Sequence, residues 1–349
     1  MPEQNTALWL ARPGTKFEVG PAPYTSPAPD EVVVRTRAVA VNPFDGLPAL
    51  VLRIVLPWLD YPAVIGSDVA GEVVEVGAGI TRLAVGDRVV GHAGSVEKSV
   101  NRPAAGAFQH YTVLTQHMVS PIPDDLTFEQ VAVLPLALST ASSGLFQQDQ
   151  LGLALPTAEH PPREETVLVW GGSTSVGSNA IQLLRNAGYR VLTTASPKNH
   201  AYVRSLGAEA AVDYHSRTAV KELVALLHDS PLAGTLAIGA GSLEPAIKIA
   251  TQVSGGRRVS SAQPGPATNI RAALARRRGV TVTSIWGGSL RDNEVGPGIY
   301  VDFLPGALAT GTYRPAPDAT VVGEGLESIP IAIQQLKKGV SATKLVVAV

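Results

Sequence analysis

The sequence predicts an α/β fold with two domains, and three observations lead to that prediction. The chain has 349 residues, more than one ordinary domain needs. Residues 6–120 contain many short strand-like runs separated by turn residues, which is typical of a partly closed β-barrel. From about 126 to 288 strand and helix patterns alternate, as a doubly wound parallel sheet requires. Residues 343–349 read as a final strand that returns to the first domain.

The β-rich region is predicted from five runs of β-branched and aliphatic residues bounded by turns. Glycines in the third run fit a curved or bulged strand. The five predicted strands are Ala7–Leu10, Glu31–Val41, Val69–Gly77, Asp87–His92 and Phe108–Leu114.

The second region opens with a helix-like run that extends from Thr127 to Leu145. Thr127 is a plausible N-cap, and Gln130 has the spacing of a capping box. Pro135 falls inside the run and predicts a kink. Further on, residues 155–165 read as a loop, 201–207 as a helix stopped by glycine, and 212–214 as a brief strand.

A glycine-rich turn carries the main functional signal of the chain. The apolar run Val167–Trp170 leads into the turn, and Ser178–Gly188 follows it as a helix. The usual G-x-G-x-x-G fingerprint reads here Gly172-x-Thr174-x-x-Gly177. A strand, a tight turn and a helix present a helix N-terminus to a dinucleotide pyrophosphate. Taken alone, the degenerate motif fits a plain strand–helix turn equally well.

The residues after the next strand indicate which dinucleotide binds. About 20 residues past the turn, an NAD site places Asp or Glu for the ribose hydroxyls. This chain places Ser196, Lys198 and Asn199 there. A cation with hydroxyl and amide donors attracts the extra phosphate of NADP, so we expect NADP(H). The alternative is an ordinary solvated loop lysine.

Composition excludes several classes of protein. The net charge of −1 gives no electrostatic footprint for nucleic acid. The absence of cysteine excludes disulfides and thiolate zinc sites. The start, Met1–Asn5, is polar and lacks a signal-peptide core. Apolar stretches are short or broken, so we expect a cytoplasmic protein without a membrane span.

Several further segments, together with the turn, give the chain a family resemblance over essentially its whole length. It resembles the medium-chain dehydrogenase/reductase superfamily. Within it, the chain is similar to fungal CipB-like oxidoreductases, to quinone oxidoreductases and to trans-acting enoyl reductases of fungal polyketide pathways. The segments that carry the resemblance are Ala38–Pro43, Gly66–Val73 with Gly77, Val85–Val89, Gly106–Phe108 and Leu206–Ala208.

The resemblance implies a GroES-like substrate domain, residues 1–125 and 298–349, interrupted by a Rossmann NADP(H)-binding domain, residues 126–297. The chemistry would take place in the cleft between them. It also implies positions for the cofactor. Its contacts would be Asn42, Pro43 and Asp45 on the nicotinamide side, Gly172, Ser173, Thr174, Ser175, Val176 and Gly177 at the pyrophosphate, Ser196, Lys198 and Tyr214 at the 2′-phosphate, and Val340 and Ser341 closing over it.

The chain departs from the zinc enzymes of this superfamily. Those enzymes carry a Cys near position 40, Gly-His-Glu at 66–68 and a later Cys. This chain has Ala40 to Asn42, then Gly66-Ser67-Asp68, and no cysteine. A catalytic zinc needs three protein ligands, so we expect no metal. Without a Lewis acid, reduction of an activated double bond is favoured over alcohol oxidation.

The expected reaction is hydride transfer from NADPH to the β-carbon of an enone or enoyl compound, or to a quinone. Asn42 and Thr140 are the candidate catalytic hydrogen-bond donors, with water as the proton source. Candidate substrate contacts are Trp58, Leu136, Ser139 and Trp286. The substrate would be small and apolar, free or bound to a carrier protein, and the protein a monomer or a homodimer. The alternative is a cofactor-binding pathway protein with a non-redox step, such as cyclisation or elimination, or a partner role.

The apolar run Leu50–Leu59 leaves two interpretations open. It could be a lid over a greasy substrate, or a buried helix.

Overall fold

The computed structural model describes residues 4–157, 161–263 and 265–349. The sequence-based expectations for residues 1–3, and for 158–160 of the 155–165 loop, lie outside the described residues. The chain divides into two compact units. The first unit comprises Met1–Leu136 and Tyr300–Val349, and the second comprises Ala137–Ile299.

Strands are found in both units. In chain order, those of the described residues are β1 (Asn5–Leu10), β2 (Phe17–Ala22), β3 (Glu31–Ala40), β4 (Ala63–Val64), β5 (Asp68–Val76), β6 (Arg88–His92), β7 (Tyr111–Thr115), β8 (Val119–Pro121), β9 (Thr166–Trp170), β10 (Arg190–Thr194), β11 (Ala210–Val212), β12 (Leu232–Ala237), β13 (Arg258–Ser261), β14 (Thr281–Ser284), β15 (Asp318–Glu324) and β16 (Thr343–Ala348).

The helices are mostly short. In chain order they are α1 (Ala49–Val55), α2 (Phe128–Val131), α3 (Pro135–Phe146), α4 (Ser175–Asn186), α5 (His200–Ser205), α6 (Ala219–Leu226), α7 (Leu243–Ala250), α8 (Pro266–Arg276), α9 (Val295–Pro297), α10 (Leu304–Thr310) and α11 (Ile329–Lys337). A 3-10 helix over Pro43–Gly46 precedes α1 and matters for the site.

The first unit is organised around β3. In the larger sheet the strands run in the order β15-β16-β3-β5-β6-β8, and β7 also pairs with β3. A second, three-stranded sheet has the order β2-β1-β4. Strand β3 has sheet neighbours along both edges, and its valines 32–34 and 39 are fully buried. Because consecutive side chains of a strand point to opposite faces, both faces of the sheet are covered at residues 32–34. The final strand β16 pairs antiparallel with β3, and this pairing brings the end of the chain beside residues 38–40.

The second unit is a six-stranded parallel sheet with the order β11-β10-β9-β12-β13-β14. Numbered within the unit, this is 3-2-1-4-5-6, the strand order of dinucleotide-binding Rossmann folds. The first strand in sequence, β9, is buried over its whole length, as a central strand of a parallel sheet must be. The predicted α/β fold class is confirmed.

The run after Thr127 is two helices and not one kinked helix. The capping box is present, since the Gln130 amide N–H bonds the Thr127 hydroxyl while the Gln130 side chain accepts the Thr127 N–H. Helix α2 then ends at Val131, and Pro135 is the first residue of α3. The predicted kink is therefore wrong. Proline is well tolerated in the first turn of a helix, because N–H groups there have no intrahelical acceptor and the missing N–H costs no hydrogen bond.

Three other predicted boundaries are shifted. The strand predicted at 212–214 is β11 and ends at Val212, and β7 begins at Tyr111 and not at Phe108. Helix α4 begins at Ser175, three residues earlier than predicted. Its early start has a local cause, because Thr174 is the residue that caps it.

Candidate functional site

The turn between β9 and α4 depends on glycine for steric reasons. Gly171 has a φ of +95°, a conformation that disfavours a side chain. A Cβ on Gly172 would lie 2.1 Å from the Thr193 hydroxyl oxygen. A Cβ on Gly177 would lie 2.3 Å from the Gly171 carbonyl oxygen. The helix can therefore approach the strand only with glycine at both positions, as the dinucleotide fingerprint requires.

Thr174 replaces the central glycine of the fingerprint and caps the helix. Its hydroxyl accepts the N–H of Gly177 at 3.0 Å and donates to the carbonyl of Gly171 at 2.8 Å. The hydroxyl is thus engaged in the turn itself. First-turn amides have no intrahelical acceptor, so those of Ser175 and Val176 are the groups suited to an anion at this helix end. Ser173 lies beside them, partly exposed.

The residues predicted to hold a 2′-phosphate surround the end of β10. The Ser196 hydroxyl donates to the Tyr214 hydroxyl at 3.3 Å, which joins the segments that follow β10 and β11. Lys198 is exposed in a 3-10 turn, whereas Asn199 is buried. Next to Tyr214, the N–H of His215 bonds the Asp213 carboxylate and lowers the pKa of Asp213.

The first unit contains a buried polar cluster that begins at Asn42. This residue is 5% exposed and precedes the 3-10 helix. Its side-chain amide donates to Asp68 Oδ2 at 2.8 Å, and its side-chain oxygen accepts from the Lys344 ammonium. The amide is therefore fixed from both ends, with one N–H left beyond these bonds.

Asp68 and Lys344 form an ion pair inside the first unit. Lys344 Nζ lies 3.0 Å from Asp68 Oδ2, and both side chains are buried. The other oxygen, Asp68 Oδ1, accepts the backbone N–H of Leu136 at 2.6 Å. A buried ion pair is stable only when its remaining hydrogen-bonding capacity is used, and Asn42 and Leu136 provide those bonds.

Asp45 completes the cluster. Its Oδ2 accepts the backbone N–H of Asn42 at 2.7 Å, and the residue is 5% exposed. Burial raises the pKa of Asp45 from 3.8 to about 7; the bond from the Asn42 N–H opposes this rise, nearby Asp68 adds to it and Lys344 opposes it. We call Asn42, Asp45, Asp68 and Lys344 the charged cluster.

The donors of the charged cluster do not fit zinc. Zinc requires neutral imidazole, thiolate or carboxylate ligands arranged tetrahedrally. The cluster instead offers an ammonium group that already bonds Asn42 and Asp68. Within the ranges described, no three His, Cys, Asp or Glu side chains are grouped so that they could hold a metal ion.

The other predicted site residues are dispersed. The Trp58 indole donates to the Val96 carbonyl at 3.0 Å and is half-buried in the first unit. Val340 and Ser341 lie exposed just before β16, and Pro43 is exposed at the start of the 3-10 helix. On α3, Leu136 and Thr140 are half-buried and Ser139 is buried; Trp286, after β14, is half-buried.

The apolar run 50–59 forms α1 and the segment after it. Leu50 is 70% and Ile54 is 68% exposed, whereas Leu52 on the opposite face is buried. The interpretation as a buried helix is wrong for the outer face, which presents an apolar surface.

Sequence reasoning missed Asp68 and Lys344 as site residues. Asp68 lies within Gly66–Val73, one of the segments that carry the family resemblance. A signal for Lys344 existed as well, because it is the one charged residue in β16 and four apolar residues follow it. Lysine on a buried strand position is rare unless it is paired.

Comparisons with known proteins agree with this architecture. Residues 28–124 match the alcohol dehydrogenase GroES-like domain family. The chain is 42% identical to the zinc-binding alcohol dehydrogenase domain-containing protein cipB of Emericella nidulans, over 99% of this chain and 98% of that protein. It is 34% identical to the trans-enoyl reductase tndF of Aspergillus flavipes, over the full length of both. The crystal structure of CurK enoyl reductase superposes with a TM-score of 0.77 at 20% identity, covering 99% of each chain.

The chain belongs to the medium-chain dehydrogenase/reductase family. The full-length relatives above 30% identity show this, whereas the structural likeness to CurK shows the fold alone. As a member of the family, it is an oxidoreductase of the nicotinamide-dependent kind. Along the described stretches of chain, none of the helices has the length and apolarity needed to cross a bilayer.

Proposed function

We propose that this protein is an NADPH-dependent reductase that works without zinc and reduces an activated C=C bond or a quinone. One observation carries the proposal: the Lys344 ammonium bonds Asn42 and Asp68. These two residues lie in the segments where, by the family resemblance, the zinc enzymes carry a Cys and a Gly-His-Glu. The Lys344 ammonium would supply the positive charge in place of a zinc ion. Without zinc the site would have no Lewis acid to polarise an alcohol. The name trans-enoyl reductase of the relative tndF supports the reaction class.

Three side chains near the end of β10 support NADPH over NADH. Ser196 and Tyr214 are hydrogen-bonded to each other, and Lys198, two positions after Ser196, is exposed. Hydroxyl donors with a nearby cation suit a phosphate dianion. Asp or Glu, which would bind the ribose hydroxyls of NADH, does not follow β10 directly.

Asn42 is proposed to stabilise the charge that the reduction creates. Bound NADPH would supply the hydride, which bonds to the β-carbon of the substrate and turns the conjugated carbonyl into an enolate. Asn42 would donate its remaining N–H to the enolate oxygen, held rigid by Asp68 and Lys344. Water would then protonate the α-carbon. Thr140 is the second proposed donor.

The proposed substrate is small and apolar, free or carried by a partner protein, and the proposed setting is cytoplasmic secondary metabolism. The exposed apolar residues Leu50 and Ile54 of α1 support an apolar substrate. Trp58, Leu136, Ser139 and Trp286 are the proposed substrate contacts.

A panel assay tests the proposal directly. Purified protein is mixed with NADPH and a series of enones, quinones and enoyl thioesters, and the loss of nicotinamide absorbance is followed. We expect turnover of at least one of these classes, unchanged by a strong metal chelator. Metal analysis of the same protein should find no stoichiometric zinc.

Two outcomes would overturn the proposal in different ways. Tight NADPH binding without turnover on any substrate would favour the non-redox alternative, a cyclisation, an elimination or a partner role. Turnover that the chelator abolishes and zinc restores would contradict the proposal that Lys344 takes the place of a zinc ion.

A further inference from the structure

Asp45 holds a carboxyl oxygen that has no hydrogen-bond partner in the described part of the chain. Oδ2 accepts the Asn42 backbone N–H at 2.7 Å, but Oδ1 is buried and unpartnered. A buried carboxylate oxygen without a donor is costly, whereas a buried carboxylic acid can carry its proton at that oxygen. An unpaired neutral hydroxyl costs less in the core than an unpaired charged oxygen, so this environment favours the protonated form of Asp45.

The charges around Asp45 are few and can be named. Asp68 from β5 and Lys344 from β16 act on it through space, one raising and one lowering its pKa. Lys337 from α11 lies against Gly46, the next residue of the 3-10 helix. Asp68 and Lys344 neutralise each other as an ion pair at 3.0 Å. The charged cluster is thus neutral when Asp45 is protonated and carries one negative charge when Asp45 is ionised.

We propose that Asp45 is a positioning residue that holds Asn42 in place and, by keeping its proton, keeps the charged cluster neutral during the reduction. The inference rests on the proposed function, because it concerns the enolate oxygen to which Asn42 would donate a hydrogen bond.

Neutrality matters because the reduction creates an anion. The enolate oxygen proposed to bond Asn42 acquires negative charge as the hydride arrives. An ionised Asp45 would oppose that charge. At an effective dielectric of about 20, one elementary charge about 10 Å away slows such a step roughly tenfold. The pKa of Asp45, about 7, puts this change near neutral pH.

The direction of the pH dependence follows from the same value. Asp45 loses its proton as pH rises through about 7, so the rate should fall as pH rises through that region. The folded protein also holds this proton more tightly than an unfolded chain does. The free energy of unfolding should therefore fall as pH rises from 3.8 towards about 7.

The experiment compares wild-type protein with Asp45→Asn, which resembles the protonated acid in shape and charge. The first readout needs no substrate. Infrared difference spectra between acidic and alkaline pH should show a protonated carboxyl band that titrates near 7 in the wild type and is missing in Asp45→Asn. The variant should also lose less stability than the wild type as pH rises.

The second readout is the pH profile of kcat on a substrate from the panel. The wild-type rate should fall roughly tenfold across the titration, whereas the rate of Asp45→Asn, whatever its absolute level, should not change across that range. Asp87→Asn is the matched control. Asp87 accepts the N–H of Ala84 at 2.9 Å, also three residues earlier, but it is only partly buried in a surface turn. That control should keep the wild-type profile. Asp45→Ala, which removes the acceptor for Asn42, should lose rate at every pH.

Each outcome separates the inference from the proposed function. If no substrate is reduced, the proposed function fails, while the infrared titration still reports whether Asp45 keeps its proton. If the enzyme turns over but wild type and Asp45→Asn share one pH profile, the inference is overturned and the proposed function stands. Absence of the carboxyl band in the wild type also overturns it. Should Asp45→Asn fold poorly, two other measurements decide whether Asp45 keeps its proton. They are the titration of the carboxyl band in the wild type and the pH dependence of the stability of Asp45→Glu.

Discussion

The glycine turn of the second unit and the charged cluster of the first unit are built by opposite means. The turn is seven contiguous residues, 171–177, whose backbone N–H groups are the groups suited to bind the cofactor. The cluster joins side chains from three separate segments, and its Asn42 and Lys344 lie 302 positions apart in sequence. Steric space limits which residues the turn accepts, because a methyl group added at Gly172 or Gly177 would clash with neighbouring atoms. Charge limits the cluster, because each member is tolerable in the core only with its partners present.

The difference implies that the two regions fail differently. A substitution in the turn should act through local packing and then through cofactor affinity. A substitution in the charged cluster should act first on the stability of the whole first unit, since β5, β16 and the 3-10 helix all meet there.

The largest effect is expected from Lys344→Met. Removing the ammonium leaves Asp68 as a buried charge without its ion-pair partner and Asn42 without a donor. Breaking a buried pair in this way costs about 3–5 kcal/mol. Urea unfolding monitored by tryptophan fluorescence would measure the loss.

Two further variants calibrate that result. Arg190→Met breaks a 2.6 Å ion pair with Glu209 whose side chains are both more than 40% exposed, and it should change stability by no more than about 1 kcal/mol. The double variant Lys344→Met with Asp68→Asn should recover part of the loss, because the stranded charge is gone. A Lys344→Met cost no greater than that of Arg190→Met would mean that the cluster is not held by charge.

The same contrast explains what the sequence could predict. The turn was predicted because everything it needs is written within twelve consecutive residues, from the strand through the glycines to the helix. The exact start of the helix depends on a local interaction: the Thr174 side chain caps the helix, so the helix begins at Ser175. Pro135 is similar, since a proline fits both a kink and a helix start, and only the end of α2 at Val131 decides between them.

The charged cluster was only half accessible from the sequence. Asn42 and Asp45 were predicted as cofactor contacts from the family resemblance, but nothing local shows that Asp45 is buried or that Asn42 is bonded on both sides. The bond from Lys344 to Asn42 depends on β16 pairing with β3, which brings Lys344 beside a segment from the start of the chain. Long-range pairing of this kind leaves no periodic signal in the sequence.

A medium effect is expected from Gly177→Ala. The new methyl carbon would start 2.3 Å from the Gly171 carbonyl oxygen and 2.7 Å from the Gly172 Cα, and both belong to a backbone that cannot move aside cheaply. Overpacking of this kind costs about 1–3 kcal/mol. Because the strain falls on the turn, NADPH affinity measured by fluorescence titration should fall as well.

Gly306→Ala is the control for Gly177→Ala. Gly306 is also a helical glycine, in α10, but a Cβ there meets nothing within 4 Å. Alanine at that position should stabilise the protein by up to about 1 kcal/mol through helix propensity alone. If both variants behaved alike, steric closure of the turn would not be the reason for glycine at position 177.

The smallest effect is expected from Lys198→Asp, because the lysine is exposed and solvent screens its charge. The reversed charge should weaken NADPH binding roughly tenfold while leaving NADH binding nearly unchanged, since only NADPH carries the 2′-phosphate. Dissociation constants for both coenzymes, titrated by fluorescence at low and high salt, would measure the difference. Lys221→Asp, an equally exposed change on α6, should affect neither coenzyme. Equal losses for NADPH and NADH in Lys198→Asp would show that this lysine does not contact the phosphate, and the preference for NADPH would then need another source.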